Sequence, residues 1–431
     1  MSAATPIQIL GAGLTGMSAA RHLGGDYALH ERLAAVGGHV ITVEQDGYRF
    51  DRTGHLLHLR DDSIRSWIET LLEGRLVSVQ RNSRVFSHGV YTRYPYQANT
   101  YGLPPQVAYE CLTGYLGARA RLEQVPEPKS FEEFCLKYFG DGFSKHFMIP
   151  YNEKLWGVHP RDITAAWCSR FVPQPKLEDV IAGAVGLNDR ELGYNTNFLY
   201  PKRGIGELTD ALHRDLPTGA HLAHAPRSID WRRRVLRFDD GDVPYQALIS
   251  SAPLDTLLGL LEDPPDEVAS AGERLRCNPL WYLDVALEVP CGVDMHWVYV
   301  PEERYPFYRV GCYSNFSAEL APPGKACLYV ELASRQTPDM DALLPQVAGG
   351  LQDMGIIEGP EDIRFAQPRR IDHAYVVFDH DYYDALERIL PFLQEHGIVS
   401  AGRYGGWNYS SMEDALIFGR EAAAQARELV S

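Results

Sequence analysis

No stretch of this 431-residue chain reaches the roughly 18 apolar residues that a membrane-spanning helix needs. Positive charge is scarce: 41 Lys and Arg stand against 57 Asp and Glu, a net charge of -16. That balance argues against nucleic acid as a partner. An anionic ligand would need a local arginine pocket set into an acidic body. The seven cysteines (Cys111, Cys135, Cys168, Cys277, Cys291, Cys312, Cys327) are scattered, odd in number and form no CxxC pair. This argues against a disulfide framework and a zinc site, and favours reduced thiols in the cytoplasm. Met1-Ser2-Ala3-Ala4-Thr5-Pro6 offers neither the basic region nor the apolar region of a secretory signal. Repeats and low-complexity linkers are absent too. Asp379-His380-Asp381 is the one acidic cluster that suggests a metal. Nothing at ligand spacing completes a site, so it reads as a solvated loop and the metal expectation is none.

What is present is ordinary globular composition: 45% hydrophobic and 23% charged residues, in a length suited to two or three domains. Ile7-Gln8-Ile9-Leu10 reads as a buried strand, followed by Gly11-Ala12-Gly13-Leu14-Thr15-Gly16 and a small-residue helix. Tyr27-Ala28-Leu29-His30-Glu31 reads as a second strand ending in an acid. This is GxGxxG in a βαβ context. Gly11 makes the turn, Gly13 admits a pyrophosphate, Gly16 lets helix meet strand, and Glu31 accepts from ribose hydroxyls. The pair Gly37-Gly38 follows the acid, as in flavoproteins of the glutathione-reductase type, which favours FAD over NAD.

The C-terminus supports the same cofactor. Gly397 to Gly402 reads as a strand, Arg403 to Tyr409 as a loop, and a helix runs from near Met412 to about Val430. Such a helix points its positive end at the loop, where a reduced flavin's negative edge fits. Between the ends, residues 101–193 read as a helical domain. Residues 86–100 and 261–394 read as an antiparallel-sheet substrate domain. The FAD-binding domain is assembled from 1–85, 194–260 and 395–431. The expected fold is α/β, Rossmann-like, with both modules inserted.

The densest segment runs from Phe147 through Tyr151, Asn152 and Trp156 to Trp167 and Arg170. Aromatic faces and amides suit a nucleoside base, and arginine suits phosphate. A core-packing helix pair is the alternative.

Together these motifs resemble the UDP-galactopyranose mutase family, its eukaryotic-type branch in particular, from about Ile7 to Ala424. The resemblance is carried by the GxGxxG loop, Thr53-Gly54-His55, Tyr94-Pro95-Tyr96-Gln97, Phe147 to Trp156, Tyr200 to Gly204, Pro306-Phe307-Tyr308-Arg309, Arg370 to His373, and Gly402 to Trp407. It implies conversion of a nucleotide-sugar between pyranose and furanose forms without net redox. Reduced FAD attacks the anomeric carbon through N5 and forms a covalent flavin–sugar adduct.

The resemblance also implies residue roles. Arg170 and Arg309 match the two diphosphate arginines, and His55 the histidine beside flavin N5. Tyr299, Tyr375 and Tyr409 match phosphate-binding hydroxyls. Tyr94, Gln97, Phe147, Asn152 and Trp156 match a uridine pocket, and Asn195 and Trp297 face the sugar. Gly11, Gly13, Gly16, Glu31, Gly38, Gly54, Gly402, Arg403 and Met412 fall to the cofactor. Arg81 and Ser83 match a site for the 2′-phosphate of NADPH, and NADPH or NADH is the expected reductant.

Three departures are visible. The family's Asn-Tyr is Asn315-Phe316 here, and its second loop histidine falls at Leu59-Arg60. The loop after Tyr409 is shorter by about two residues. The expected partner is a UDP-sugar, with a homo-oligomer possible. An amine-oxidase-like or protoporphyrinogen-oxidase-like flavoenzyme is the rival reading, and a non-catalytic FAD-retaining protein a third.

Overall fold

The computed structural model describes residues 6–168, 172, 174–187 and 197–431. Arg170 and Asn195 lie outside the described residues.

The strand β1 (Ile7–Leu10) is buried along its whole length. A strand covered on both faces belongs inside a parallel sheet, and that is where it sits. β2 (Tyr27–His30) pairs with it in parallel on one side and Ala247–Ser250 on the other. Ile398–Ser400 and Ala220–His221 complete five parallel strands. The strands come from the two ends and the middle of the chain, so the nucleotide sheet is discontinuous in sequence. Helix α1 (Leu14–Leu23) follows the glycine loop and lies against the C-terminal helix Met412–Val430. The Thr15 hydroxyl donates to the Ala415 carbonyl (3.0 Å) and the Ser18 hydroxyl to that of Leu416 (2.6 Å).

The second large sheet has seven strands, in the order Ile363–Val376, Cys277–Leu287, Ala326–Leu332, Phe307–Cys312, Trp297–Tyr299, Ser83–Ser87, Val90–Arg93. Its pairings are antiparallel except one: Trp297–Tyr299 runs parallel to Ser83–Ser87. The sheet therefore takes in Ser83, three residues before the expected boundary at 86. Cross-strand register sorts its two faces. Val298, Val310, Val330 and Leu283 form a row that belongs to the apolar core shared with the helix Met340–Asp353. The interleaved row on the other face is Tyr299, Arg309, Glu331, Tyr282 and Arg369. Beside it run Trp297, Gly311, Tyr329, Asp284 and Gln367. The period of two thus places every polar side chain of this central stretch on one face.

Helices Pro105–Ala120, Phe131–Phe143 and Ile149–Trp156 cover that region of the chain. The first two touch through glycine: a Cβ on Gly142 would stand 2.2 Å from the Glu110 carbonyl oxygen. One π-helical segment, Ser144–Met148, leads into Ile149–Trp156. The wider turn re-aims the side chains that follow it.

Asp51 ties the parts together. Its carboxylate accepts from the Thr42 hydroxyl (2.6 Å), the Tyr200 hydroxyl (2.5 Å) and the Ile205 amide (3.1 Å). Removing a buried acceptor leaves its donors desolvated and unpaired. Asp51→Ala should therefore lower stability by about 3 kcal/mol or more, read from urea unfolding of the holoprotein.

Candidate active site

The first site is built by the glycine loops. Gly11 has φ +97°, and a Cβ there would meet the Ser251 hydroxyl at 2.5 Å. A Cβ on Gly16 would stand 1.8 Å from the Gly11 carbonyl oxygen. Both glycines are demanded by the protein itself. Gly13 is different: a Cβ there meets nothing within 4 Å. Its space is open at the N-terminus of α1, where backbone amides favour an anion. The second glycine loop closes on the first, with Gly37 N–H donating to the Ala12 carbonyl (2.8 Å) and Gly38 lying 3.5 Å from the Gly13 Cα as a Cβ would measure it. Glu31 is buried, and its two oxygens accept from the amides of Ala12 (2.8 Å) and Leu33 (2.8 Å). A carboxylate has about four acceptor positions, which leaves capacity for ribose hydroxyls. The donor set, the open Gly13 and the aimed acid fit a dinucleotide.

The C-terminal wall is a short helix, Gly402–Gly405, where the sequence suggested a loop. Gly402 opens it at φ +89°, with Thr15 so close that a Cβ would stand 2.6 Å from the threonine hydroxyl. Arg403 does not simply reach for a cofactor. Its guanidinium donates to the carbonyls of Ser410 (2.7 Å) and Ala374 (3.3 Å) and lies over the rings of Tyr409 (4.8 Å) and Tyr375 (5.9 Å). It clamps the loop. Met412 is the buried first residue of the long helix, whose Ser411 and Asp414 form a capping box.

His55 sits between these walls and the large sheet. Its Nδ1 is buried with no hydrogen-bond partner among the described residues. Burial, with Arg403, Arg309 and Arg52 nearby, pushes its pKa down to about 4 against the pull of the Thr53 backbone. The imidazole is neutral at neutral pH. Gly54 is pinned beneath it: a Cβ would meet the Tyr329 hydroxyl at 2.5 Å, while Gly311 presses on the same ring from the sheet. Tyr329 therefore sets the height of the Gly54–His55 backbone.

Arg309 occupies the middle of the polar row. Its partner within the protein is Glu331, a residue the resemblance did not name. Nε and Nη2 donate to its two oxygens at 2.8 and 2.5 Å, and Nη2 also donates to the Tyr375 hydroxyl at 3.3 Å. Glu331 is 0% exposed and Arg309 20% exposed at the side chain. Nη1 has no hydrogen bond to any described residue, so the fork is fixed with one nitrogen to spare. Burial opposes the Arg309 charge, and Glu331 more than restores it, so the guanidinium is held firmly protonated. Glu331 was readable as the lone acid in Leu328-Tyr329-Val330-Glu331-Leu332. An inward acid in an apolar strand needs a cation.

An aromatic chain extends from this arginine. Tyr94 and Tyr299 have ring centres 5.0 Å apart, Tyr299 and Tyr151 5.3 Å, and Tyr151 stacks on Phe147 at 5.3 Å. Phe147 also stacks on Tyr96 at 4.9 Å. Both of its faces are covered by protein, which leaves it only an edge to offer a base. Tyr151, to which the resemblance gave no role, stands between Phe147 and the sheet. Along the helix Ile149–Trp156, Asn152 donates to the Met148 carbonyl (2.7 Å) and accepts from the Trp156 indole (3.3 Å). Trp156 faces Tyr375 (5.7 Å) and Tyr409 (6.5 Å). Gln97 reaches Met148 Sδ at 3.0 Å, while its Oε1 is buried and has no partner among the described residues. Arg81 lies over the Tyr94 ring at 5.4 Å, but Ser83 is buried in the strand beside Trp297. Phe316, the departure from Asn-Tyr, packs among Phe198, Tyr200, His296 and Tyr313, where a hydroxyl would enter an aromatic cluster.

Known structures share this fold. A reduced UDP-galactopyranose mutase superposes with a TM-score of 0.92 at 27% identity, covering 99% of this chain and 94% of that one. An Exiguobacterium sp. protein assigned as a protoporphyrinogen oxidase gives a TM-score of 0.72 at 16% identity, covering 99% of each chain. A putrescine oxidase bound to putrescine gives 0.66 at 14% identity, covering 97% of this chain and 98% of that one; these last two share the fold. Across residues 14–427 the sequence matches the model for flavin containing amine oxidoreductases. The chain belongs to that family of FAD enzymes.

Proposed function

We propose that the protein is a flavin-dependent nucleotide-sugar mutase, interconverting UDP-galactopyranose and UDP-galactofuranose or a close relative, without net redox. The observation that carries this reading is Arg309, fixed by buried Glu331 with Nη1 to spare, beside the Tyr375 hydroxyl. The 27% identity to a UDP-galactopyranose mutase over nearly the whole chain supports it. Membership of the eukaryotic-type branch, and reduction by NADPH or NADH at Arg81, belong to the same proposal.

Each residue has a part. Arg309, with Tyr299 and Tyr375, meets the diphosphate and stabilises it as the leaving group, and a pre-oriented donor does so without reorganising. Glu331 stops Arg309 from swinging away. Arg170 supplies the second cation. Gln97, Asn152 and the aromatic helix hold the base, and the tyrosines around them keep water out. His55, neutral, adds no charge beside the reacting centre, and the Gly54–His55 backbone is what Tyr329 positions. Bound FAD, when reduced, supplies the nucleophile.

The family assignment favours one other reading, an amine oxidase. Arg309 argues against it, because a fixed guanidinium repels an ammonium substrate. Anaerobically reduced protein incubated with UDP-galactofuranose should yield UDP-galactopyranose on chromatography, without stoichiometric oxygen uptake when air is admitted. Oxygen consumption with an amine, and no isomerisation of any nucleotide-sugar, would replace the mutase by the oxidase.

A further inference from the structure

Lys154 is 9% exposed, and its three hydrogen bonds all go to main-chain oxygens. Nζ donates to the carbonyls of Val300 (3.2 Å), Glu302 (2.8 Å) and Phe307 (2.7 Å). Val300 and Glu302 lie in the turn that joins Trp297–Tyr299 to Phe307–Cys312, and Phe307 opens the second of those strands, so all three carbonyls fall between Tyr299 and Arg309. Lys154 itself comes from the helix Ile149–Trp156, two residues after Asn152 and two before Trp156. The same seam carries the ring contacts of Tyr151 with Tyr299 (5.3 Å) and Tyr308 (6.1 Å). Arg335 closes its far end. Its Nη2 donates to the carbonyls of Lys154 (2.8 Å) and Leu155 (2.5 Å), and Nη1 to that of Leu332 (3.3 Å).

We propose that Lys154 is a positioning residue whose ammonium holds the aromatic helix on the arginine-bearing strands and so sets the width of the nucleotide pocket. This rests on the nucleotide-sugar reading above. An ammonium has three N–H groups for three carbonyls. A neutral amine has two, and turns a lone pair toward the third oxygen. Losing the proton therefore loosens the seam.

Burial pushes the Lys154 pKa down to about 7, with Glu302 and Glu303 pulling it back up. Other charged and titratable groups face the contact. Arg304 pairs with Glu302 (3.6 Å) on the turn, His88 donates its amide to the Glu302 carboxylate (3.1 Å) from the neighbouring hairpin, and Arg335 lies at the helix end. Protonation holds the pocket below pH 7, and the hold weakens as pH rises through that value.

The test is UDP affinity of the oxidised holoenzyme, by calorimetry, at intervals from about pH 6 to 8.5. UDP's own ionisation is common to every variant and cancels. Wild type should lose about tenfold more affinity over that range than Lys154→Met, the loss expected for a hydrogen bond from a charged donor. Lys154→Met should bind weakly throughout. Lys154→Arg, which does not titrate here, should bind more tightly than Lys154→Met with no excess loss at high pH. In turnover, Lys154→Met should raise KM with kcat nearly kept. Parallel pH profiles for wild type and Lys154→Met overturn the proposal. If Lys154→Met does not fold, a Lys154→Arg profile parallel to wild type overturns it. Wild type that binds no UDP at any pH overturns the nucleotide reading and this inference together.

Discussion

Arg309→Ala is expected to lower folding stability by about 3–5 kcal/mol and UDP affinity on the order of a hundredfold or more. The two losses have different origins. The stability loss belongs to Glu331, which is fully buried and loses the partner of both its oxygens. The affinity loss has two sources: the missing guanidinium, and a bare carboxylate left facing a diphosphate. Two further variants separate them. Replacing both members, Arg309→Met with Glu331→Met, removes the buried charge problem and should return stability to near wild type, since buried pairs exchange for apolar residues at little cost. It should not return UDP binding. Arg309→Lys keeps the charge but cannot grip Glu331 with two nitrogens, so it should fall between on both measures. Urea unfolding and calorimetry with UDP read the two quantities independently. A double methionine variant that still binds UDP would remove Arg309 from the site.

How far these residues could be read in advance depends on whether their partners are local. The Gly11–Gly16 loop was legible because strand, turn, helix and acid follow within 25 residues of one another. The helix starting near Met412 was legible because its apolar spacing is also local. Arg309 was singled out through the local motif Pro306-Phe307-Tyr308-Arg309. Its partner was not, because Glu331 becomes its neighbour only through the register of two separate strands. The parallel pairing of Ser83 with Trp297 joins residues far apart in sequence, and it extends the seven-stranded sheet back to Ser83. The covering of Phe147 was not legible, because it depends on Tyr96, which arrives from another segment. Lys154 was passed over because a lysine in an amphipathic helix ordinarily reads as solvated. Only the turn folding over it makes it a buried donor.

The glycines of the first loop should part company when each is replaced. Gly16→Val places carbon where the Gly11 carbonyl oxygen stands only 1.8 Å from an ideal Cβ. Backbone cannot yield there without lifting α1 off the sheet. Gly419 lies on the other side of the same helix, with an ideal Cβ 2.3 Å from the Thr15 carbonyl oxygen, so α1 has nowhere to retreat. Gly16→Val should therefore prevent stable folding, a loss above about 4 kcal/mol, the size reserved for severe overpacking and broken networks. Gly13→Ala should behave in the opposite way. Its φ of -79° and ψ of -172° suit any residue, and its Cβ meets no protein atom. The apoprotein should lose only about 1 kcal/mol, the preference for glycine over alanine at a helix N-cap. Flavin retention should fall sharply, because the room Gly13 leaves is filled by the ligand rather than by the fold. Thermal melting of apoprotein and flavin absorbance after gel filtration distinguish the two. If Gly13→Ala melts as low as Gly16→Val, or keeps its full flavin, then Gly13 is a folding glycine and the pyrophosphate lies elsewhere.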